Sequence, residues 1–349
     1  MKLFPSLSLI RMGTICILLC SFLVTLGTFV ACDDDEAILT DDKPLVTLIT
    51  DYIGTDDQGY QSLVYQTAAQ WEKREDINVN ILLPKSKKTA EEMFTKWPEQ
   101  TRELSKALLI VASHNYQEML DQHRLELSEN QQVIAFEGKA PHQSQGFSTF
   151  TFNRNGAAYL AGKMASKCKD IVVIAGEGQP YINKAWQAFQ QGLEGQHTFN
   201  VTYLAFDNEG FNRPDSAYHA TAQHPDAFVF PLAGKSNLGV YRCLQECEWP
   251  HQLMAAGMDV DCNARSERIP FSIVLHVDRL MNHYLQRWLD GQPLPQHKTW
   301  GMASGMVEVV LNSAFTQQLD VKPADYENFY QKYKAEAIEK ENSFAPGVN

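Results

Sequence analysis

Asp259 follows an apolar run at 253–257 that reads as a buried strand. A carboxylate in such a place is costly unless something pairs with it. Asp259 is therefore a candidate contact for a hydrogen-bond donor from outside the chain. Three more polar loops follow apolar runs, at 51–61, 113–116 and 233–238. They carry Asp57, Tyr60, Gln61, Asn115 and Gly234. Asp57 is either a ligand group or the cap of the helix it precedes. Tyr60 is either a flat contact surface or core. Gln61 and Asn115 offer both donors and acceptors, and Gly234 lets a backbone come close. Phe206, after the apolar run at 200–205, is either a wall or the cover of a sheet edge. His114 and His276 read as packing or surface histidines. Catalytic patterns do not emerge. There is no Gly-x-Ser-x-Gly nucleophile elbow, and Gly234-Lys235-Ser236 matches only the tail of a phosphate loop. No two carboxylates form a recognisable acid–base pair, so the reading is not an enzyme.

These loops need elements to hold them. Short apolar runs at 45–50, 79–83, 107–112 and 132–136 alternate with amphipathic stretches at 58–73, 89–104 and 116–123. Thr89 is the expected N-cap of the second helix, with Glu91 and Glu92 in its first turn. A second set follows, with strands at 171–175, 200–205, 227–231 and 253–257. Its helices are expected at 155–167, 182–194, 214–222 and 238–246. After Pro270 come a strand at 271–275, a helix at 276–289, strand material at 299–311 and a charged helix at 323–340. Strand–helix alternation implies parallel sheets covered on both faces. Two successive sets imply two doubly wound lobes, with sites at the carboxyl ends of the strands and in the cleft between lobes.

The N-terminus sets the compartment. Lys2 and Arg11 precede an apolar run at 15–24, which reads as a signal peptide rather than a membrane span. Phe29-Val30-Ala31-Cys32 resembles the lipobox of bacterial lipoproteins, which implies cleavage after Ala31 and lipid on Cys32. Asp33-Asp34-Asp35-Glu36 is an acidic tether and resembles the tag that sends lipoproteins to the cell surface in one Gram-negative phylum. The expectation is an outer-membrane lipoprotein on the periplasmic face or the cell surface. The formal charge of −12 includes Lys2 and Arg11, so their removal leaves −14 on the mature chain. That balance argues against a nucleic-acid partner, which needs a basic footprint. Cys168, Cys243, Cys247 and Cys262 remain. Zinc is not expected, because no histidine has ligand spacing. A Cys243–Cys262 disulfide suits an oxidising compartment, and buried thiols are the alternative.

Four stretches in order resemble the basic membrane protein family of substrate-binding lipoproteins, which includes purine nucleoside receptors. Asp57, Tyr60 and Gln61 hold the Asp, Phe and Asn places of Asp-x-Ser-Phe-Asn. Residues 152–162 resemble Phe-Arg-x-x-Glu-Gly-Ser-Tyr-Leu-Ala-Gly, with Asn153 in place of the Arg and Gly156 in place of the Glu. Residues 233–240 resemble Ala-Gly-x-x-Gly-x-Gly-Val, and 257–261 resemble Gly-x-Asp-x-Asp. The resemblance implies the type I periplasmic binding fold: two α/β lobes, a multi-strand hinge and a ligand in the cleft. It implies a small molecule, a nucleoside or a related compound, held without a cofactor and passed to an ABC permease. The other reading is a sensing or surface-interaction lipoprotein with no transport partner. Phe206 matches an aromatic set against the base, and Asp259 becomes a ribose contact. Leu275 replaces a lysine that holds the ligand's polar part, which points to a less polar or larger ligand. The expected division is 44–150 with 272–298 as lobe 1, and 151–271 with 299–322 as lobe 2. Residues 1–31 are the leader, 32–43 the tether and 323–349 a C-terminal helix and tail.

Overall fold

The computed structural model describes residues 43–344 apart from 141, 144, 207–208, 249–250 and 315–322. The leader, Cys32 and the acidic run behind it lie outside the described residues. The first set of strands forms one six-stranded sheet. It contains β1 (Leu45–Ile49), β2 (Asn78–Leu82), β3 (Ala107–Val111), β4 (Gln131–Phe136), β5 (Phe147–Phe152) and β12 (His297–Trp300). Their order is β12-β5-β4-β3-β1-β2, and every neighbouring pair is parallel. Between them run helices α1 (Tyr60–Trp71), α2 (Lys87–Gln100) and α3 (Gln117–Gln122). The second set forms a parallel sheet ordered β7-β6-β8-β9. Its strands are β6 (Asp170–Ala175), β7 (Thr198–Tyr203), β8 (Phe228–Leu232) and β9 (Met254–Ala255). Helices α4 (Asn155–Ala165), α5 (Pro180–Gly192), α6 (Pro214–Ala222) and α7 (Asn237–Glu246) accompany it.

The apolar runs are continuous because both faces of these sheets are covered. Successive side chains divide between the faces. Leu108 and Ile110 join one core, and Ala107, Leu109 and Val111 join another. Val173 and Ala175 face the first core, while Val172 and Ile174 face a third.

A smaller sheet links the lobes. In it β10 (Gly257–Asp259) lies parallel to β11 (Phe271–Leu275), which lies antiparallel to β13 (Val307–Leu311). The main chain passes between the two lobes three times: from β5 to α4, from β11 to α8 (Val277–Leu289), and from β12 to β13. Helix α8 packs on α1, and Trp71 Nε1 donates to Asn282 Oδ1 at 2.7 Å. Helix α9 (Pro323–Lys340) packs on α4. Just beyond it, Glu341 accepts the Met302 amide at 2.6 Å, holding the C-terminal segment to the third crossing.

The structure corrects several local expectations. Ser86, not Thr89, caps α2: its side chain accepts the Thr89 amide at 3.1 Å, so the helix starts at Lys87. The stretch 299–311 is two strands parted by a turn in which Gly305 takes φ 71°. The Cys243–Cys262 disulfide is not formed. Cys168, Cys243, Cys247 and Cys262 are free thiols, and Cys262 Sγ is directed to the Met258 carbonyl at 3.8 Å.

Candidate functional site

In the six-stranded sheet β1 lies between β2 and β3, and in the four-stranded sheet β6 lies between β7 and β8. The order in which strands are added reverses there, which opens a crevice beyond the strand ends. Asp51 leaves β1 into that crevice. Its carboxylate accepts the Ile53 amide at 2.9 Å, Ser113 Oγ at 2.6 Å and Asn115 Nδ2 at 2.8 Å. Burial pushes its pKa up, and these hydrogen bonds oppose the rise. Gln61 ties α1 to both strands. Its Oε1 accepts the Asp51 amide at 3.4 Å, and its Nε2 donates to the Ala112 carbonyl at 2.7 Å. Asp57 accepts the amides of Gly59, Gln61 and Ser62 at 2.8–3.0 Å, so it holds the first turn of α1.

The facing lobe supplies an apolar wall. Gly234, after β8, takes φ 54°, a backbone conformation that favours glycine, and lies in contact distance of Phe211. Phe211 is buried, and the His114 ring packs edge-on against it at 5.3 Å and against Tyr181 at 5.4 Å. Desolvation lowers the His114 pKa to about 4, so the ring is neutral near pH 7. His114 Nε2 and Tyr60 Oη are both buried without a hydrogen-bond partner among the described residues.

A charged cluster completes the site. Arg154 grips Glu137 with two bonds of 3.0 and 3.2 Å, and these side chains are only 16% and 12% exposed. Glu137 follows β4 with φ 56°, and Asp259 ends β10 with φ 68°. Both are strained positions for residues other than glycine, and strain of this kind concentrates at functional sites. Among the described residues nothing donates a hydrogen bond to the Asp259 carboxylate. Desolvation raises its pKa to about 6; the charge of Arg154 opposes that shift, while Asp57 and Glu137 add to it. Together these groups surround a cavity of about 110 Å³ between the lobes. Cavities on the order of 150 Å³ take one benzene-sized ring. Two polar links cross the mouth. Lys235 Nζ meets Asp56 at 2.7 Å, and Arg265 donates to the Gln58 side chain and carbonyl at 2.8 and 2.9 Å. Among the described residues no group of side chains is arranged to hold a metal ion, and no helix is long and apolar enough to cross a membrane.

A family model described as "Bmp: ABC transporter substrate-binding protein PnrA-like" matches residues 46–343. The chain belongs to the Bmp family. Curated proteins give no match to its sequence. Among solved structures it is similar to an ABC transporter solute-binding protein from Aeropyrum pernix K1. There the identity is 13%, the TM-score 0.65, and 86% of this chain covers 92% of that one. It is also similar to a transcriptional activator of the comK gene from Bacillus halodurans, at 15% identity and TM-score 0.61, with 87% and 99% covered. A Conexibacter woesei solute-binding protein follows at 12% identity and TM-score 0.58, with 88% and 98% covered. At these identities the likeness carries the fold: two α/β lobes of the type I periplasmic binding kind. Bmp membership carries a substrate-binding role beside an ABC permease.

Within this Bmp fold, Asp57, Tyr60, Gln61, Asn115, Gly234 and Asp259 all line the one cavity. Phe206 does not. It is 86% exposed, touches Tyr203 at 6.1 Å, and leaves the aromatic wall to Phe211 and Tyr181. The sequence reading passed over Glu137 and Arg154, and it took His114 for a packing or surface residue. Arg154 had a visible signal, since it stands one residue past the arginine place of the motif at 152–162. Glu137 had none, because its role depends on a positive φ after β4.

Proposed function

We propose that this protein is the extracytoplasmic receptor of an ABC importer, which captures a nucleoside or a related ring compound between its lobes. It is tethered to the outer membrane through a lipidated Cys32. The lobes that close are 44–150 with 272–298, and 151–271 with 299–322. The observation that carries the reading is Asp259: a carboxylate at the end of a strand, without a protein partner, lining a cavity that both lobes wall. Asp259 is half-buried, a carboxylate so placed is costly without a hydrogen-bond donor, and a ligand is the partner the fold leaves room for. Asp57, Gln61 and Asn115 spend most of their hydrogen-bonding capacity on Asp51, Ala112 and the first turn of α1, so their part is to fix the wall. Tyr60, Tyr181 and Phe211 give the flat apolar surfaces that a ring requires. The cavity suits one ring in this form, so a nucleoside would need the lobes further apart than they stand here.

The reading is tested on the full chain in detergent, by a thermal-shift screen against nucleosides, bases and other ring metabolites. A ligand at 100 times its dissociation constant adds about 2.7 kcal/mol of stability. Asp259→Ala is expected to remove that gain while leaving the circular dichroism spectrum unchanged. An unaltered gain in the variant would exclude Asp259 from the site. The tether is tested separately: Cys32→Ser is expected to move the protein from the membrane to the soluble fraction, and continued sedimentation with membranes would refute lipidation.

A further inference from the structure

The charges around the cavity do not balance. Four carboxylates line it (Asp51, Asp57, Glu137 and Asp259) against the cations Arg154 and Lys235. Both cations are already paired, one of them with a carboxylate of the four. Arg154 is held in a two-bond grip by Glu137, and Lys235 reaches out to Asp56 at 2.7 and 2.9 Å. The donors to Asp51 and Asp57 are amides, a hydroxyl and a carboxamide, which orient the carboxylates without neutralising them. The strand beside Asp259 pairs it with Val274, and Leu275 follows, so β11 brings no positive group either. The pocket as built is short of positive charge, and Asp259 is where the shortage is exposed.

We propose, building on the capture role above, that the ligand is a compact cation: an ammonium or amidinium group carried on a ring, with the positive group on Asp259. The rest of the cavity agrees with this. Tyr60, Tyr181 and Phe211 present aromatic rings, and cations are attracted to the faces of such rings. Tyr60 Oη can accept a hydrogen bond, as can one ring nitrogen of neutral His114, and both Tyr60 Oη and His114 Nε2 lack a protein partner. A cationic N–H group supplies donors to these acceptors and a countercharge to Asp259 together. An anion would meet the carboxylate excess, and a neutral molecule would bring Asp259 hydrogen-bond donors but no countercharge.

The test uses four probes on the full chain in detergent by isothermal titration calorimetry: benzamidinium, benzamide, benzoate and adenosine. The first three share one shape and differ in charge. Benzamidinium is expected to bind at least tenfold more tightly than benzamide, with benzoate silent. Asp259→Asn keeps the shape and tolerates a positive φ; it is expected to weaken benzamidinium at least tenfold and to close most of the gap between benzamidinium and benzamide. Equal or tighter binding of benzamide, benzoate or adenosine would overturn the choice of a cation while leaving capture intact. Silence from all four would overturn both. The ranking in the unmodified protein decides the matter even if the variant fails to fold.

Discussion

At the scale of single residues, Asp259 makes an observable pH signature. Its ordinary pKa of 3.8 rises to about 6 because burial penalises the charged form. The charged and titratable groups around the same cavity are Arg154, Lys235, Asp51, Asp57, Glu137, His114, Tyr60 and Tyr181, with Tyr241 behind it on α7. An acid whose folded pKa lies above its unfolded one binds its proton more tightly in the native state. The folded protein therefore loses stability as pH rises from about 4 to about 6, and then levels off. Asp259→Asn removes this loss. The variant should match the parent near pH 4 and exceed it at pH 7.5 by on the order of 2–3 kcal/mol, as one pKa unit is about 1.4 kcal/mol. Urea denaturation at the two pH values checks this, and because His114 is common to both proteins its titration cancels in the difference. A gap that stayed the same at both pH values would show that the fold does not raise the pKa of Asp259. Asp259 was legible in the sequence, because an acid after an apolar strand stands out against its surroundings. Phe211 was not. Whether Phe206 or Phe211 turns inward depends on the path of the loop after β7, and no spacing rule encodes that path.

At the scale of elements, the contact between α4 and α5 explains the Tyr-Leu-Ala-Gly sequence. Gly162 and Gly192 let the two helices touch through their backbones, and a methyl group on Gly162 would sit 2.0 Å from the Phe189 carbonyl oxygen. Overpacking a fitted contact costs about 1–3 kcal/mol. Here the obstacle is backbone and cannot rotate aside. Gly162→Ala is expected at or above the top of that range, measured by chemical denaturation, with Gly305→Ala as the comparison. Gly305 has open space around it and loses only through its positive φ. Equal losses at both sites would mean that the helices separate without penalty. The buried strands were legible because their apolar runs are unbroken. Strand β5 was not, and β12 was legible only at its end, Thr299 and Trp300. Phe147–Phe152 mixes aromatic residues with Ser and Thr, and His297–Trp300 is an edge strand whose first three residues are exposed and polar. Such strands owe their existence to a neighbour's hydrogen bonds rather than to their own periodicity.

At the scale of the whole molecule, the proposed capture would couple binding to the approach of two lobes, and the lips of the cleft would contribute to that equilibrium before any ligand arrives. The Lys235–Asp56 pair joins the loop after β8 to the loop after β1, and Arg265 joins the other lobe to Gln58. Asp56 is 71% exposed, and its pKa is drawn down chiefly by its hydrogen bond to Lys235. Pairs as exposed as this contribute about 0.2–1 kcal/mol and weaken as salt rises. That is enough to matter for a closing equilibrium. The apparent dissociation constant of a ligand that needs the closed form is its intrinsic value divided by the closed fraction. Losing up to 1 kcal/mol of closure therefore weakens binding by up to about fivefold when the open form predominates. Lys235→Ala is expected to weaken binding two- to fivefold, to reduce the difference between affinities at low and high salt, and to increase the radius of gyration in small-angle scattering. The direct contacts of a bound ligand with Asp259 remain, so a ligand in excess should still bring the variant to the closed dimension of the parent. If the variant expanded without losing affinity, closure would be driven by the ligand's own contacts, and the lips would serve only to shut out water.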